Sequence, residues 1–520
     1  MMTLLQYAWL IPVMPLVAVL LIALGYAFGF NRGERGERFT SRVSLSAVFV
    51  SWLLSVAIAA HAFVNGVPGL TVFGEWLHSG DYHIMFSFSL DWLGISIGLL
   101  VVTIALLTLR FSVNYLHRED GFQRYFIIMN LFTAAMLLIV LAGSAAFMFI
   151  GWELAGMSSY LLIGYALDRE NATHNANNAF ITNRFGDVGF ILALAGALFW
   201  SGGVDWHSLH KSANEIDSLY VYMILAGFIV AAMAKSAMVP FAPWITRALE
   251  GPTPSSAIFY GSLMVHAGVF LLLRLEPVLT AAPVMMNVLV VIGVLSVLYG
   301  FLGGLVQSDV KTAFMFSTTA QVGLMFIECG LGWFDLATYH LAAHAIWRSY
   351  QFLSAPSYMQ LISRRARPIP AWLRNQQYLY NACVQRFWLE NVANALITRP
   401  THMMSGEVNT FDKKVINQMV GLPASANAIS SLADWEQIKR SNQRNGYDKV
   451  GTGEGLLGKF METIASQLHW FEEQLVLKGG GEGLLKVLQS MGNRLVRVER
   501  LLSKPRYLWL MILATLVVVL

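Results

Sequence analysis

The sequence has 520 residues, of which 56% are hydrophobic and only 13% are charged, and its mean hydropathy is +0.56. Soluble domains carry about a quarter charged residues, so this composition excludes a soluble globular protein and indicates a membrane protein. The formal net charge of +4 is small, and no basic stretch alternates with aromatic residues, which excludes nucleic-acid binding.

Runs of apolar residues long enough to cross a bilayer follow one another along the chain when it is read with a window of about 19 residues. These twelve runs cover residues 9–30, 42–64, 92–109, 125–141, 143–165, 186–201, 220–241, 254–275, 284–306, 312–330, 336–357 and 506–520. The first is too long for a signal-peptide core and lacks a cleavage pattern after it, so we interpret it as a retained span. The predicted fold class is an all-α polytopic membrane bundle of about twelve transmembrane helices.

The connections between the spans predict the orientation, because short cytoplasmic loops carry an excess of lysine and arginine. An outside N-terminus places on the cytoplasmic side Arg32, Arg35, Arg38, Arg42, Arg110, Arg118, Arg124, Arg169, Arg184, Arg247, Lys311, Arg364, Arg365 and Arg367. Only Lys211 and Arg274 fall outside. We therefore predict a multi-pass protein of the bacterial inner membrane with a periplasmic N-terminus.

A polar segment, residues 363–505, separates the last two predicted spans and lies in the cytoplasm under this orientation. Apolar residues recur there at three- and four-residue steps, which predicts two amphipathic helices, at 460–475 and 484–502. We favour helices that lie along the membrane surface against the bundle or a partner subunit. A small cytoplasmic helical domain is the alternative.

Several predicted spans contain ionisable residues, and each costs several kcal/mol in a bilayer unless it is paired, hydrated or faces a cavity. They are Glu153, Lys235, His266, Glu328, His340, His344 and Arg348. His340, His344 and Arg348 are spaced four residues apart and therefore share one helix face. A series of acids, a lysine and imidazoles is what a proton relay requires, and the imidazoles and the lysine favour protons over sodium.

The lysine is the most informative of these groups, because burial lowers the pKa of an amine and a nearby carboxylate raises it. A Glu153–Lys235 pair could therefore change its charge state as its neighbours move. Pro240, Pro252 and Pro254 break the helical pattern beside Lys235, as in the ion pathways of transporters. The alternative is a structural ion pair with histidines that are ordinary core residues.

Several motifs follow one another in a fixed order over about residues 85–355. They are Gly151-Trp152-Glu153, Ser158 to Tyr165, Asn183-Arg184-Phe185-Gly186-Asp187, Ala234-Lys235-Ser236 to Pro240, Glu250 to Pro254, Ser317-Thr318 with Gln321, and His340 to Ala345. In these motifs the sequence resembles the antiporter-like subunit family, which includes the distal proton-pumping subunit of respiratory complex I, its chloroplast-type relatives and the large Mrp sodium/proton antiporter subunit.

The resemblance implies two inverted five-helix repeats, with Glu153 and Lys235 as the coupled pair of the first half-channel. Arg184 and Asp187 belong to the same implied proton pathway, and the histidine helix would carry protons toward the second half. The predicted divisions are two N-terminal spans with a periplasmic loop (1–85), the first repeat (86–275), a partial second repeat (276–362), the cytoplasmic amphipathic segment (363–505) and a last span (506–520).

Departures from the family pattern concern the second half of the implied pathway. Arg348 stands where the family usually has lysine, and an arginine is effectively never deprotonated, so its expected role is that of a fixed charge. Tyr260 stands where the eighth span usually has histidine, and His266 follows about two turns later. The second repeat stops after the eleventh span, which puts a full antiport route in doubt.

Cys329-Gly330-Leu331-Gly332 and Phe352-Leu353-Ser354 are similar to the membrane subunit of DAB-type inorganic-carbon uptake complexes. That resemblance implies a hetero-oligomeric membrane complex whose cytoplasmic partner is a zinc protein resembling a carbonic anhydrase. The alternatives are a subunit of a complex I-like oxidoreductase, with other membrane subunits as partners, a cation/proton antiporter subunit, and a scaffold with vestigial charges. We expect no catalytic site and no cofactor in this chain, because it has no quinone, flavin or nucleotide motif and no Cys/His metal spacing.

Overall fold

The computed structural model describes residues 2–79, 82–213, 215, 217–361 and 369–411. Within these ranges ten helices are long and apolar enough to cross a membrane, which confirms a polytopic helical membrane bundle. The predicted last span, 506–520, and the amphipathic stretches 460–475 and 484–502 lie outside the described residues.

The chain up to Lys235 is helical apart from one hairpin. Its helices are α1 (Met2–Leu5), α2 (Leu10–Ala27), α3 (Gly33–Asn65), α4 (Trp92–Tyr115), α5 (Phe122–Leu141), α6 (Ala145–Ile163), α7 (Glu170–Gly196, continued by a π-helical turn, Ala197–Ser201), α8 (Trp206–Ser212) and α9 (Ser218–Lys235). Polar side chains cap four of these helices, because the first backbone N–H groups of a helix lack partners within it. Asp91, Ser144, Asp205 and Asp217 accept these bonds for α4, α6, α8 and α9.

A two-stranded antiparallel hairpin joins α3 to α4 and is an addition to the all-α prediction. Its strands are β1 (Gly69–Ser79) and β2 (Tyr82–Leu90). Both strands are rich in aromatic and β-branched residues, which favour an extended backbone. The register shifts twice, between Val72 and Gly74 and between Glu75 and Leu77.

The backbone between Lys235 and Arg274 is a succession of short helical pieces. They are α10 (Pro243–Arg247), a 3-10 turn (Ala248–Glu250), α11 (Thr253–Ser256), a π-helical turn (Ala257–Ser262), a second 3-10 turn (Met264–His266) and α12 (Ala267–Arg274). Backbone groups released at the first break still find partners, as a lipid environment requires. Trp244 Nε1 donates to the Ala234 carbonyl at 2.8 Å, and Val239 N donates to Ser296 Oγ at 3.0 Å.

The rest of the described chain is again helical. It contains α13 (Glu276–Thr280), α14 (Pro283–Gly304), α15 (Val310–Gly330), α16 (Phe334–Leu361), α17 (Ala371–Arg374), α18 (Gln377–Val384), a 3-10 turn (Arg386–Trp388), α19 (Leu389–Ala393) and a π-helical turn (Asn394–Thr398). A second compact unit begins at Arg399, and its described part is α20 (Arg399–Phe411). The predicted eleventh span forms α16 but is not among the ten apolar helices, because its histidines, arginine and glutamine lower its hydropathy.

Helices α7 and α9 approach closely through glycine, which lets two backbones meet in the way that membrane helix pairs favour. A Cβ added at Gly227 would lie 2.5 Å from the Gly189 carbonyl oxygen, and one added at Gly186 would lie 2.3 Å from Ala234 Cβ. This contact places Asp187, the neighbour of Gly186, beside the end of α9 that carries Lys235.

We expect Gly227→Ala to lower the thermal stability of the purified protein, because the new methyl group collides with backbone rather than with a movable side chain. Overpacking of this kind costs about 1–3 kcal/mol. Thermal unfolding in detergent measures the effect, with Gly74→Ala as the matched control, since a Cβ there meets no atom within 4 Å. Equal melting temperatures for the two variants would contradict the close contact of α7 and α9.

Candidate functional site

Five residues from α6, α7 and α9 form what we term the lysine cluster: Trp152, Glu153, Arg184, Asp187 and Lys235. Lys235 is 1% exposed, and its ammonium donates to the Trp152 carbonyl at 3.0 Å and lies 5.1 Å from the centroid of the Trp152 ring. The indole Nε1 of Trp152 donates in turn to Asp187 Oδ1 at 2.9 Å. Trp152 thus connects the buried amine to a buried carboxyl group.

Glu153 does not pair with Lys235 directly, which corrects the pair predicted from the sequence. Its carboxylate forms an ion pair with Arg184, whose Nη1 also lies 3.6 Å from Asp187 Oδ2. Within the part of the chain that the structure describes, no carboxylate oxygen lies within 4.0 Å of the Lys235 ammonium. The physical reason is that the Arg184 guanidinium reaches Glu153 from α7, while the Lys235 ammonium points to a carbonyl of α6.

Three buried polar atoms in or next to the lysine cluster have no hydrogen-bond partner among the described residues. They are Glu153 Oε1, Asn183 Oδ1 on the residue before Arg184, and Ser236 Oγ on the residue after Lys235. Buried polar atoms are almost always satisfied, so unsatisfied ones in a membrane span call for a functional explanation. Groups that accept and release protons during turnover supply one.

Tyr260 lies in the π-helical turn of the eighth span, in sequence between Lys235 and His266. Its hydroxyl shares a hydrogen bond of 3.0 Å with Ser159 Oγ of α6. The Tyr260 ring also packs edge-on against Trp244, the residue that holds the Ala234 carbonyl beside Lys235. Single π-helical turns within helices are frequent at functional sites. The position at which the sequence departs from the family pattern therefore keeps a hydroxyl that can carry a proton.

A second group, which we term the histidine cluster, comprises His266, Glu328, His340, His344 and Arg348. At one end His340 Nδ1 lies 2.8 Å from Glu328 Oε1, and its Nε2 lies 2.9 Å from Gln321 Oε1. Glu328 and Gln321 of α15 therefore hold the His340 ring of α16 by both of its nitrogens.

The other end of the histidine cluster joins two helices by one hydrogen bond between imidazoles. His266 Nε2 lies 2.9 Å from His344 Nδ1, and His344 Nε2 accepts from Arg348 Nε at 3.4 Å. An arginine can only donate, so His344 Nε2 accepts from Arg348, and the other ring nitrogen, Nδ1, donates the hydrogen bond to His266 Nε2. The His340–Glu328 pair and the His266–His344 pair both include a histidine of α16, and the ring centroids of His340 and His344 are 6.2 Å apart.

Arg348 is 4% exposed and is held by neutral groups. Nη2 donates to Ser317 Oγ at 2.7 Å, and Nη1 donates to Gln351 Oε1 at 2.8 Å. No acidic residue in the described ranges forms an ion pair with it. Arg348 is therefore a buried positive charge that hydrogen bonds to neutral side chains hold in place.

Of the prolines predicted to break helices, Pro240 follows the end of a helix, whereas Pro252 and Pro254 lie at the start of one. Helix α9 ends at Lys235, Ala237 has a left-handed φ of 53°, and Pro240 follows, so the first break lies where proline predicted it. Pro252 and Pro254 instead flank Thr253 at the start of α11, where proline is tolerated because the first N–H groups need no partner within the helix. They begin the eighth span and do not interrupt it, and the irregular backbone lies in the π and 3-10 turns after them.

The sequence predicted all the ionisable members of both clusters as site residues. It did not predict the neutral side chains that contact them. Trp152, Ser317 and Gln321 all lie in motifs that carried the family resemblance, yet none was given a role. Trp152 directly precedes Glu153 in α6, whereas Ser317 and Gln321 of α15 contact Arg348 and His340 of α16. Polar side chains inside an apolar span were the available signal, since these too are rare in a bilayer.

The comparisons with known proteins match the same region of the chain. The family model described as the transmembrane part of NADH:quinone oxidoreductase and Mrp antiporter subunits matches residues 142–371. A second model, the N-terminus of chain 5 of NADH-ubiquinone oxidoreductase (complex I), matches residues 76–126. Both clusters lie within the first match.

Individual relatives agree with the family models. NAD(P)H-quinone oxidoreductase chain 5 of Picosynechococcus sp. is 33% identical over 68% of this chain and 54% of the relative. The chloroplastic subunit 5 of Spinacia oleracea is 34% identical over 68% of this chain and 48% of the relative. The chain thus spans about half the length of these relatives.

Two solved structures are similar in fold. A chain of the Mrp complex from Dietzia sp. aligns with a TM-score of 0.59 at 25% identity, and the alignment covers 70% of this chain and 39% of the other. A chain of an archaeal membrane-bound sulfane sulfur reductase aligns with a TM-score of 0.58 at 17% identity, over 69% of this chain and 57% of the other, and shows the fold alone.

Proposed function

Because this chain belongs to the family of antiporter-like membrane subunits, we propose that it conducts protons across a membrane as one subunit of a larger complex. The observation that carries the proposal is the series of buried or half-buried ionisable groups on the helices from α6 to α16. A bilayer span tolerates such groups at a high free-energy cost, and proton relays are their usual reason.

The proposed route begins at Glu153 and the lysine cluster. A proton that enters on Glu153 weakens the ion pair with Arg184, which frees Arg184 to move toward Asp187. The added positive charge near Asp187 favours release of a proton from the Lys235 ammonium. Lys235 lies at the broken end of α9. It is the one group in the lysine cluster that becomes neutral when it gives up a proton, and a neutral group is favoured in an apolar environment.

The route continues through the hydroxyls to the histidine cluster. Ser159 and Tyr260 share a hydrogen bond of 3.0 Å, and His266, which follows Tyr260 in the eighth span, shares a hydrogen bond with His344 of α16. His340 and Glu328 extend the route along α16 and α15. Arg348 closes the route, because it cannot take up a proton from the histidines.

A proton-flux assay tests the route at its first member. We expect Glu153→Gln to reduce proton flux into proteoliposomes by at least about a hundredfold, the lower range for loss of an acid–base group. The amide keeps the size of the side chain but neither carries a proton nor pairs with Arg184. Flux is followed with a pH-sensitive dye after an imposed membrane potential.

Glu276→Gln is the matched control, because Glu276 is an exposed acid at the start of α13 and contacts no member of either cluster. Assembly is checked by size-exclusion chromatography. Full flux in Glu153→Gln would contradict the proposal, whereas a loss in both variants would point to a general fault of the preparation.

As the specific role, we propose that the proton flux drives uptake of dissolved inorganic carbon by a cytoplasmic zinc partner resembling a carbonic anhydrase. The support is Arg348, whose fixed charge ends the proposed proton route. A route that ends there suits a subunit that delivers protons in one direction to a partner better than a pump with two half-channels. The motifs around Cys329 and Phe352 support the same role. In this proposal the chain lies in the bacterial inner membrane with its N-terminus in the periplasm.

The alternative role, proton pumping within a quinone oxidoreductase or cation/proton antiport, is favoured by the names of the relatives. Purification of the complex from its native membrane separates the two. Co-purification of a zinc protein, with bicarbonate uptake that a protonophore abolishes, supports carbon uptake. Co-purification of iron–sulfur subunits with NADH-driven quinone reduction supports the respiratory role and overturns the first.

A further inference from the structure

The tip of the β1–β2 hairpin gathers two histidines and a glutamate on one face. His78 and His83 are direct cross-strand partners. Glu75 and His78 are three residues apart and would normally point to opposite faces, because side chains alternate along a strand. The register shift between Glu75 and Leu77 inserts one extra residue, and an insertion of this kind returns Glu75 to the face of His78.

The three side chains are close enough to share one ion. Glu75 Oε1 lies 2.6 Å from His83 Nδ1 and 3.3 Å from His78 Nδ1, and one ligand atom from each residue lies within 4.8 Å of the others. The ligand atoms of a tetrahedral zinc site are about 3.3 Å apart, given metal–ligand bonds of about 2.0–2.1 Å. Small rotations of exposed side chains suffice to reach that spacing.

From this geometry we propose that Glu75, His78 and His83 form a binding site for a divalent transition-metal ion, with Zn²⁺ as the expected occupant. Two imidazoles and one carboxylate are the ligand set that suits zinc, whereas magnesium and calcium prefer oxygen ligands alone. The site is separate from the two clusters in the membrane and independent of the proposed proton route.

The electrostatics of the tip favour a cation. The Glu75 carboxylate lies 2.6 Å from His83 Nδ1 and 3.3 Å from His78 Nδ1, so its negative charge would offset part of the charge of a bound cation. Three protein ligands leave one position of a tetrahedral ion open, as in zinc sites that exchange a water or a small anion. Because the tip is exposed, ions reach it without any change in the bundle.

Zinc binding to the full chain, purified in detergent without a histidine tag, tests the proposal. We expect equilibrium dialysis against Zn²⁺ alone, with metal analysis of the retained protein, to give one zinc per chain. Glu75→Gln, His78→Ala and His83→Ala should each weaken binding at least about tenfold, since even loss of an outer hydrogen-bond partner weakens zinc sites by that factor. His207→Ala removes another exposed histidine and should leave binding unchanged.

Zinc binding unchanged in the three tip variants would overturn the site, as would equal weakening in His207→Ala or displacement of the zinc by excess Mg²⁺. Thermal unfolding of each variant without metal shows whether the hairpin change has disturbed the bundle. The proton-flux assay decides the proposed function independently, because none of the tip residues lies on the proton route.

Discussion

Lys235→Ala is expected to abolish proton flux in proteoliposomes, with a loss of at least about a hundredfold. Lys235 is the one amine in the lysine cluster, and its ammonium is fully buried between the Trp152 carbonyl and the Trp152 ring. Removal of the amine leaves Arg184 as the only cation of the lysine cluster, and Arg184 pairs with Glu153 and Asp187 but cannot be deprotonated. The cluster then has no cation that can release a proton.

Lys235→Arg separates proton transfer from charge, because a guanidinium keeps the positive charge and cannot be deprotonated. We expect this variant to be as inactive as Lys235→Ala. Lys211→Ala, which removes an exposed lysine at the end of α8, is the control and should keep full flux. Activity in Lys235→Arg would show that Lys235 supplies only a fixed charge and would remove it from the proton route.

The sequence predicts the spans and the first break well because both depend on local chemistry. Long apolar runs become helices in lipid since every backbone polar group must be satisfied within its own segment. Proline removes a donor, so Pro240 predicts the end of α9 within a few residues. The irregular eighth span was not predicted, because its π and 3-10 turns depend on packing against α6 and α16.

The partners of each charge were less predictable than the charges themselves. His266 and His344 are 78 residues apart, and only the packing of α16 against the eighth span shows that they share a hydrogen bond. Two cations, Arg184 and Lys235, were possible partners of Glu153. The sequence does not show which of them the Glu153 side chain contacts. The shared face of Glu75, His78 and His83 at the hairpin tip was not predictable for a different reason. It exists only because a bulge shifts the register between Glu75 and Leu77.

His344→Gln is expected to reduce proton flux by at least about a hundredfold while leaving the fold intact. His344 shares hydrogen bonds with both His266 and Arg348, so in the proposed route a proton that passes between His266 and α16 uses its ring. Glutamine can accept from Arg348 and donate to His266, so the packing and hydrogen bonds persist. It cannot bind an extra proton, and the relay stops.

The matched control for His344→Gln is His207→Gln, an exposed histidine of α8 outside both clusters. Thermal unfolding in detergent should give the same melting temperature for both variants and the parent, because glutamine conserves the buried hydrogen bonds. Parent-like flux in His344→Gln would mean that protons bypass the imidazole pair, and the histidine cluster would then be structural. Loss of flux with unchanged stability leaves proton transfer as the role of His344, because only the ability to titrate has been removed.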